Sequence, residues 1–120
     1  MPQITVEYSA RLAGMFDRRA FALALHADAS ALIDSTLGSF KTRFHRLDDV
    51  VIGAGAETDL MVHVDLAILP GRSRDLKQKL GQTALDLLVR HLGEVAGNTV
   101  QATVEVRDLA GADYHKQVVR

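Results

Sequence analysis

The sequence contains no cysteine and no tryptophan. The first absence excludes disulfides, thiolate metal centres and thiol nucleophiles together. The second, with aromatic residues at only 5%, leaves few flat surfaces on which nucleobases or sugar rings stack. Charge of neither sign is in excess: 14 Lys and Arg stand against 15 Asp and Glu, a net charge of −1. That balance gives no footprint for nucleic acid and no acidic solvating tail. No run approaches the ~18 consecutive apolar residues of a membrane span, and the first residues lack the apolar region of a signal peptide. The expectation is a cytoplasmic protein that engages neither membrane nor nucleic acid. Proline occurs only twice, as Pro2 and Pro70, each beside an element boundary.

What is present describes an ordinary globular chain, 48% hydrophobic and 24% charged. At 120 residues it is long enough for one core and too short for two. The expectation is one domain over 1–120, with pseudo-repeat halves of about 1–56 and 57–110 and a polar tail over 111–120. Ile4, Val6 and Tyr8 alternate with Gln3, Thr5 and Glu7, the period of a half-buried strand. Asp17 is placed to cap a following segment whose apolar side is Phe21, Leu23, Leu25, Ala29, Leu32 and Ile33, read as one long helix or two broken ones. A second strand runs from Phe40 to Leu47 and sets Lys41, Arg43 and His45 on one face. The run Gly53-Ala54-Gly55-Ala56 signals a turn, and Leu60 to Ile68 alternates as a third strand. Pro70-Gly71 ends it, Ser73 is a helix N-cap, and Asp75 suits the positive end of the helix dipole. Leu76, Leu80, Ala84, Leu87, Leu88 and Leu92 then recur at helical spacing, and Val100, Ala102, Val104 and Val106 make the last strand.

The order is β-α-β-β-α-β, an α+β arrangement of two βαβ units. It predicts a four-stranded mixed sheet with two helices on one face. The other face is expected to carry enough Ile and Val to sit poorly in water and so to meet further copies of the chain. Ferredoxin-like domains share this order, and many bind ligands or assemble without catalysis; periodicity alone does not separate the two.

Several residues suit chemistry. A small residue behind Met1 favours its removal, which makes the Pro2 ring nitrogen a free secondary amine fixed by the backbone. Amino termini titrate near ~7.7–8.0, and nearby cations or partial burial lower that value towards a usable base. Lys41, Arg43 and Arg72 supply such cations if the fold gathers them, and arginine also matches a carboxylate with its planar fork. Arg72 opens the second helix, where the N-terminus attracts anions. Each has a plain alternative: strand-opening proline, solvated edge charges, a loop arginine in water. His45 and His63 could share neighbouring strands as a metal pair, but no third ligand has a convincing spacing, and no metal is expected. Asp48-Asp49 is either an acid pair or a solvated turn. Gly53-Ala54-Gly55 precedes a strand and is no dinucleotide fingerprint.

Taken together, Met1-Pro2 opening a strand, Phe40-Lys41-Thr42-Arg43-Phe44-His45, Met61-Val62-His63-Val64 and Pro70-Gly71-Arg72-Ser73 opening a helix resemble the tautomerase superfamily. Within it the 5-carboxymethyl-2-hydroxymuconate isomerases are most similar, over nearly the whole chain apart from the tail. The resemblance implies a homotrimer with sheets inward and helices outward, and no cofactor. It implies a small unsaturated (di)carboxylate substrate, with Pro2 as the base that moves a proton between carbons through a dienol. It places substrate-binding cations at Arg72, Arg43 and Lys41. Lys41 stands where the family usually has an arginine, so the charge is kept and the bidentate fork is lost.

Overall fold

Alternating apolar residues build the first strand, β1 (Gln3–Ser9), in a computed structural model that describes all of residues 1–120. Ile4, Val6 and Tyr8 are buried, while Glu7 is exposed on the other side. The helix α1 (Arg18–Leu32) is continuous; its N-cap Asp17 accepts the Ala20 amide at 3.3 Å, and Phe21, Leu25 and Ala29 face inward. It ends at Ile33, followed by Asp34 with φ 50°. A short 3-10 turn, Leu37–Ser39, leads into β2 (Lys41–Leu47). Next come β3 (Asp59–Ile68), α2 (Arg74–Arg90) and β4 (Thr99–Asp108). Ser73 caps α2 by accepting the Leu76 amide at 3.2 Å, and Leu80, Ala84, Leu87 and Leu88 are its buried stripe. No helix is long and apolar enough to cross a membrane.

The sheet order is β2-β1-β3-β4, with β1 parallel to β2, β3 parallel to β4, and β1 antiparallel to β3. The expected mixed four-stranded sheet with two helices on one face is the fold observed. Nineteen buried residues form one apolar cluster between the sheet and the two helices.

The other sheet face departs from expectation. Register places Gln3, Thr5 and Glu7 beside Lys41, Arg43 and His45 on one flank, and beside Ala67, Asp65 and His63 on the other. Beyond β3 stand Thr103, Glu105 and Arg107. This face is therefore polar and charged. The period of two that puts Ile4, Val64 and Val104 against the helices sends Thr5, Asp65 and Glu105 outward, so no aliphatic stripe remains there. Arg107 grips Asp65 through three hydrogen bonds of 2.9–3.1 Å. The two histidines are not on neighbouring strands: β1 separates them, and Glu7 is the register partner of both. His63 bonds Thr103 at 2.7 Å instead.

Candidate active site

Topology decides what meets at one end of the sheet. Because β1 and β2 run parallel, their first residues, Gln3 and Lys41, are partners. Because β3 runs against β1, its last residues arrive at the same end, with Ala67 opposite Gln3. The chain then turns through Pro70 and Gly71 to present Arg72 just before α2. Gly71 has φ 113°, a backbone state that residues with a Cβ rarely adopt, so glycine here is what aims the next residue. β4 runs with β3 and brings the last ten residues to this end as well.

Pro2 is fully buried, and its carbonyl accepts the Lys41 amide at 3.4 Å. While Met1 is attached, the Pro2 nitrogen is an amide without a lone pair to offer; the free amine belongs to Met1, one residue away. That amine is held below its ordinary value, first by partial burial, then by the positive charges of Arg72, Lys41 and Lys116. All these influences act in one direction, against the ammonium and for the neutral base.

The guanidinium of Arg72 is half-buried and well anchored. Its Nη1 donates to Leu69 O and its Nη2 to Ile33 O, each at 3.2 Å. Ile33 closes the C-terminus of α1, so Arg72 also satisfies an orphan carbonyl at the negative end of that helix. Two of its five N–H donors are thus engaged, and the rest are available to an anion. Lys41 donates its Nζ to Ser39 O. The two cations of the second strand do not share an acceptor: Arg43 is exposed on the open face and donates to Gln3 Oε1. Pro2, Lys41 and Arg72 are brought together, and Arg43 lies farther down β2, outside the group that acts on the amine.

A cavity of about 540 Å³ opens at this corner, lined by Met1, by residues of the 34–39 loop, and by Lys116, Val118 and Arg120. Neither Arg72 nor Lys41 lines it. Asp48 lies at the far end of β2, paired with Arg46 at 3.5 Å, remote from the amine. His26 sits in a separate groove between α1 and β2, bonded to Thr42 at 2.7 Å, and burial lowers its pKa. Sequence reading missed Gln3, Tyr114 and Lys116. Gln3 Nε2 donates to Tyr114 Oη at 2.8 Å across 111 positions, a contact no local pattern announces.

Comparison with known proteins agrees with this fold. The solved structure of a 5-carboxymethyl-2-hydroxymuconate isomerase from Deinococcus radiodurans R1 is 24% identical, with a TM-score of 0.86 over 97% of this chain and 88% of its own. A 5-carboxymethyl-2-hydroxymuconate delta-isomerase is 16% identical with the same TM-score, over 98% of this chain and 89% of its own. A fused 4-OT described as a symmetric trimer is 21% identical with a TM-score of 0.72, over 92% of this chain and 88% of its own. At these identities the likeness establishes a shared fold. No curated protein matches the sequence. The family model for 5-carboxymethyl-2-hydroxymuconate isomerase, however, matches residues 2–119, and on that span the chain belongs to the 5-carboxymethyl-2-hydroxymuconate isomerase family.

Proposed function

We propose that the protein is a cofactor-independent tautomerase in which Pro2, freed by removal of Met1, is the general base. The substrate is an unsaturated 2-hydroxy (di)carboxylate. The lone pair of the Pro2 nitrogen takes a proton from one end of the conjugated system, which leaves a dienolate. The resulting ammonium returns that proton to a different carbon, so the amine is regenerated and no electrons leave the substrate. Arg72 and Lys41 hold carboxylate and the charge that develops on the enolate oxygen. Loss of Met1 hands its place among these cations to the substrate. Arg43 contributes from the open sheet face, where a neighbouring protomer of a homotrimer completes the pocket. Such a trimer is supported by the fused 4-OT neighbours, which are described as symmetric trimers.

The observation that carries this reading is the gathering of Arg72, Lys41 and Lys116 about one partly buried amino terminus. General base catalysis is worth ~10²–10⁴ in rate. Pro2→Ala therefore lowers kcat with 2-hydroxydienoates or phenylenolpyruvate by that order, with the circular dichroism spectrum unchanged. Protein shown by intact mass to retain Met1 is inactive. Full turnover by the Met1-bearing form, or by Pro2→Ala, removes the assignment.

A further inference from the structure

The polar tail that begins at Gly111 is tied to the amino-terminal corner at three points. The Leu109 amide donates to Ile68 O at 2.7 Å, so the chain leaves β4 alongside the end of β3. Gly111 then passes so close to Pro70 that a Cβ on it would lie 3.0 Å from two ring carbons. Tyr114 Oη accepts from Gln3, whose other amide atom is engaged by Arg43. These ties deliver Lys116 to the amino terminus, where its Nζ lies 3.2 Å from Met1 Sδ.

Lys116 differs from the other two cations of the corner. Arg72 and Lys41 have carbonyl acceptors, whereas the only partner of Lys116 is a thioether, a weak acceptor that departs with Met1. No carboxylate lies within ion-pair distance of it. Lys116 lines the cavity together with residues of the 34–39 loop, Asp34 among them. A lysine held at a cavity wall with no anion of its own is suited to an anion brought by a ligand.

We propose that Lys116 is a specificity-determining residue, which binds the second carboxylate of a linear unsaturated dicarboxylate while the tail from Gly111 onward acts as the strap that holds it. The inference rests on the reading of this corner as a pocket for unsaturated carboxylates, and it deepens that reading. It separates dicarboxylates from monocarboxylates of equal length by one charge at the far end of the substrate.

The test uses two six-carbon dienes that differ only at that end, trans,trans-muconate with a carboxylate and sorbate with a methyl group. Their binding to Met1-free protein is measured by titration calorimetry. The wild type binds muconate more tightly than sorbate. Lys116→Ala weakens muconate about tenfold, the scale of one charge-assisted contact at an exposed wall, and changes sorbate less than twofold. Lys116→Arg restores most of the loss. Tyr114→Phe, which removes only the hydroxyl held by Gln3, shifts muconate in the same direction by a smaller factor. Equal weakening of both probes, no change in either, or a wild type that does not distinguish them overturns the proposal. The measurement needs no turnover, so it is repeated on Pro2→Ala protein. A selective loss there upholds Lys116 even where the base assignment fails.

Discussion

Arg72 holds the fold as well as an anion, and Arg72→Ala separates the two roles. The substitution removes donors to Leu69 O and Ile33 O, both at 3.2 Å. A net hydrogen bond contributes ~0.5–1.5 kcal/mol, and a cation at a helix C-terminus adds ~0.3–1 kcal/mol. Half-burial keeps the sum near the lower part of that range, about 1–3 kcal/mol. For 120 residues, an unfolding entropy of ~2.1 cal/mol/K per residue gives about 0.25 kcal/mol/K, so Tm falls by roughly 4–12 °C. Thermal unfolding followed at 222 nm, at one fixed protein concentration, reads this directly. Arg72→Lys keeps the charge but not the fork that spans two carbonyls, and recovers about half of the loss. Kinetics measured well under both transitions then isolate the second role: KM rises more for a dicarboxylate than for a monocarboxylate. A Tm within 2 °C of wild type refutes the carbonyl clamp. Equal KM effects on both substrate classes refute the carboxylate role.

Two further outcomes follow from the same corner. Burial and the charges of Arg72, Lys41 and Lys116 lower the pKa of the Met1 amine; on the proposed mechanism the Pro2 amine inherits these neighbours, and kcat/KM falls as pH drops through its lowered value. Lys41→Gln removes one of these charges and moves the acid limb to higher pH; an unmoved or oppositely moved limb excludes the electrostatic account. Gly71→Ala has open space for its methyl but the wrong backbone at φ 113°, and costs about 1–3 kcal/mol in denaturant titration. Gly14→Ala, equally uncrowded and without a positive φ, serves as the neutral control.

Much of the architecture was legible because it rests on local periods. Asp17 and Ser73 cap the helices expected of them, and Leu60 to Ile68 alternates as read. Strand order was not legible, since nothing local to His45 and His63 states that β1 lies between them. Lys41 and Arg43 look equivalent in sequence and share a face, yet two residues along a strand span ~6.6 Å, which leaves Lys41 at the sheet end and Arg43 farther along. The apolar character expected of that face is absent for a related reason: the residues that register brings there are Gln3, Thr5 and Glu7 with their largely polar partners on β2 and β3. The tail was unreadable because its ties, Tyr114 to Gln3 and Lys116 to Met1, cross more than a hundred positions and impose no period.

The meeting of Met1 with Lys116 has a practical corollary for anyone handling the polypeptide. On the proposed mechanism, a purification handle or fluorophore fused to the front keeps the Pro2 nitrogen an amide, and one fused behind Arg120 adds bulk beside the cavity that Arg120 lines. The exposed connection between β2 and β3 around Gly53–Glu57, at the opposite pole of the sheet, is the tolerant insertion point.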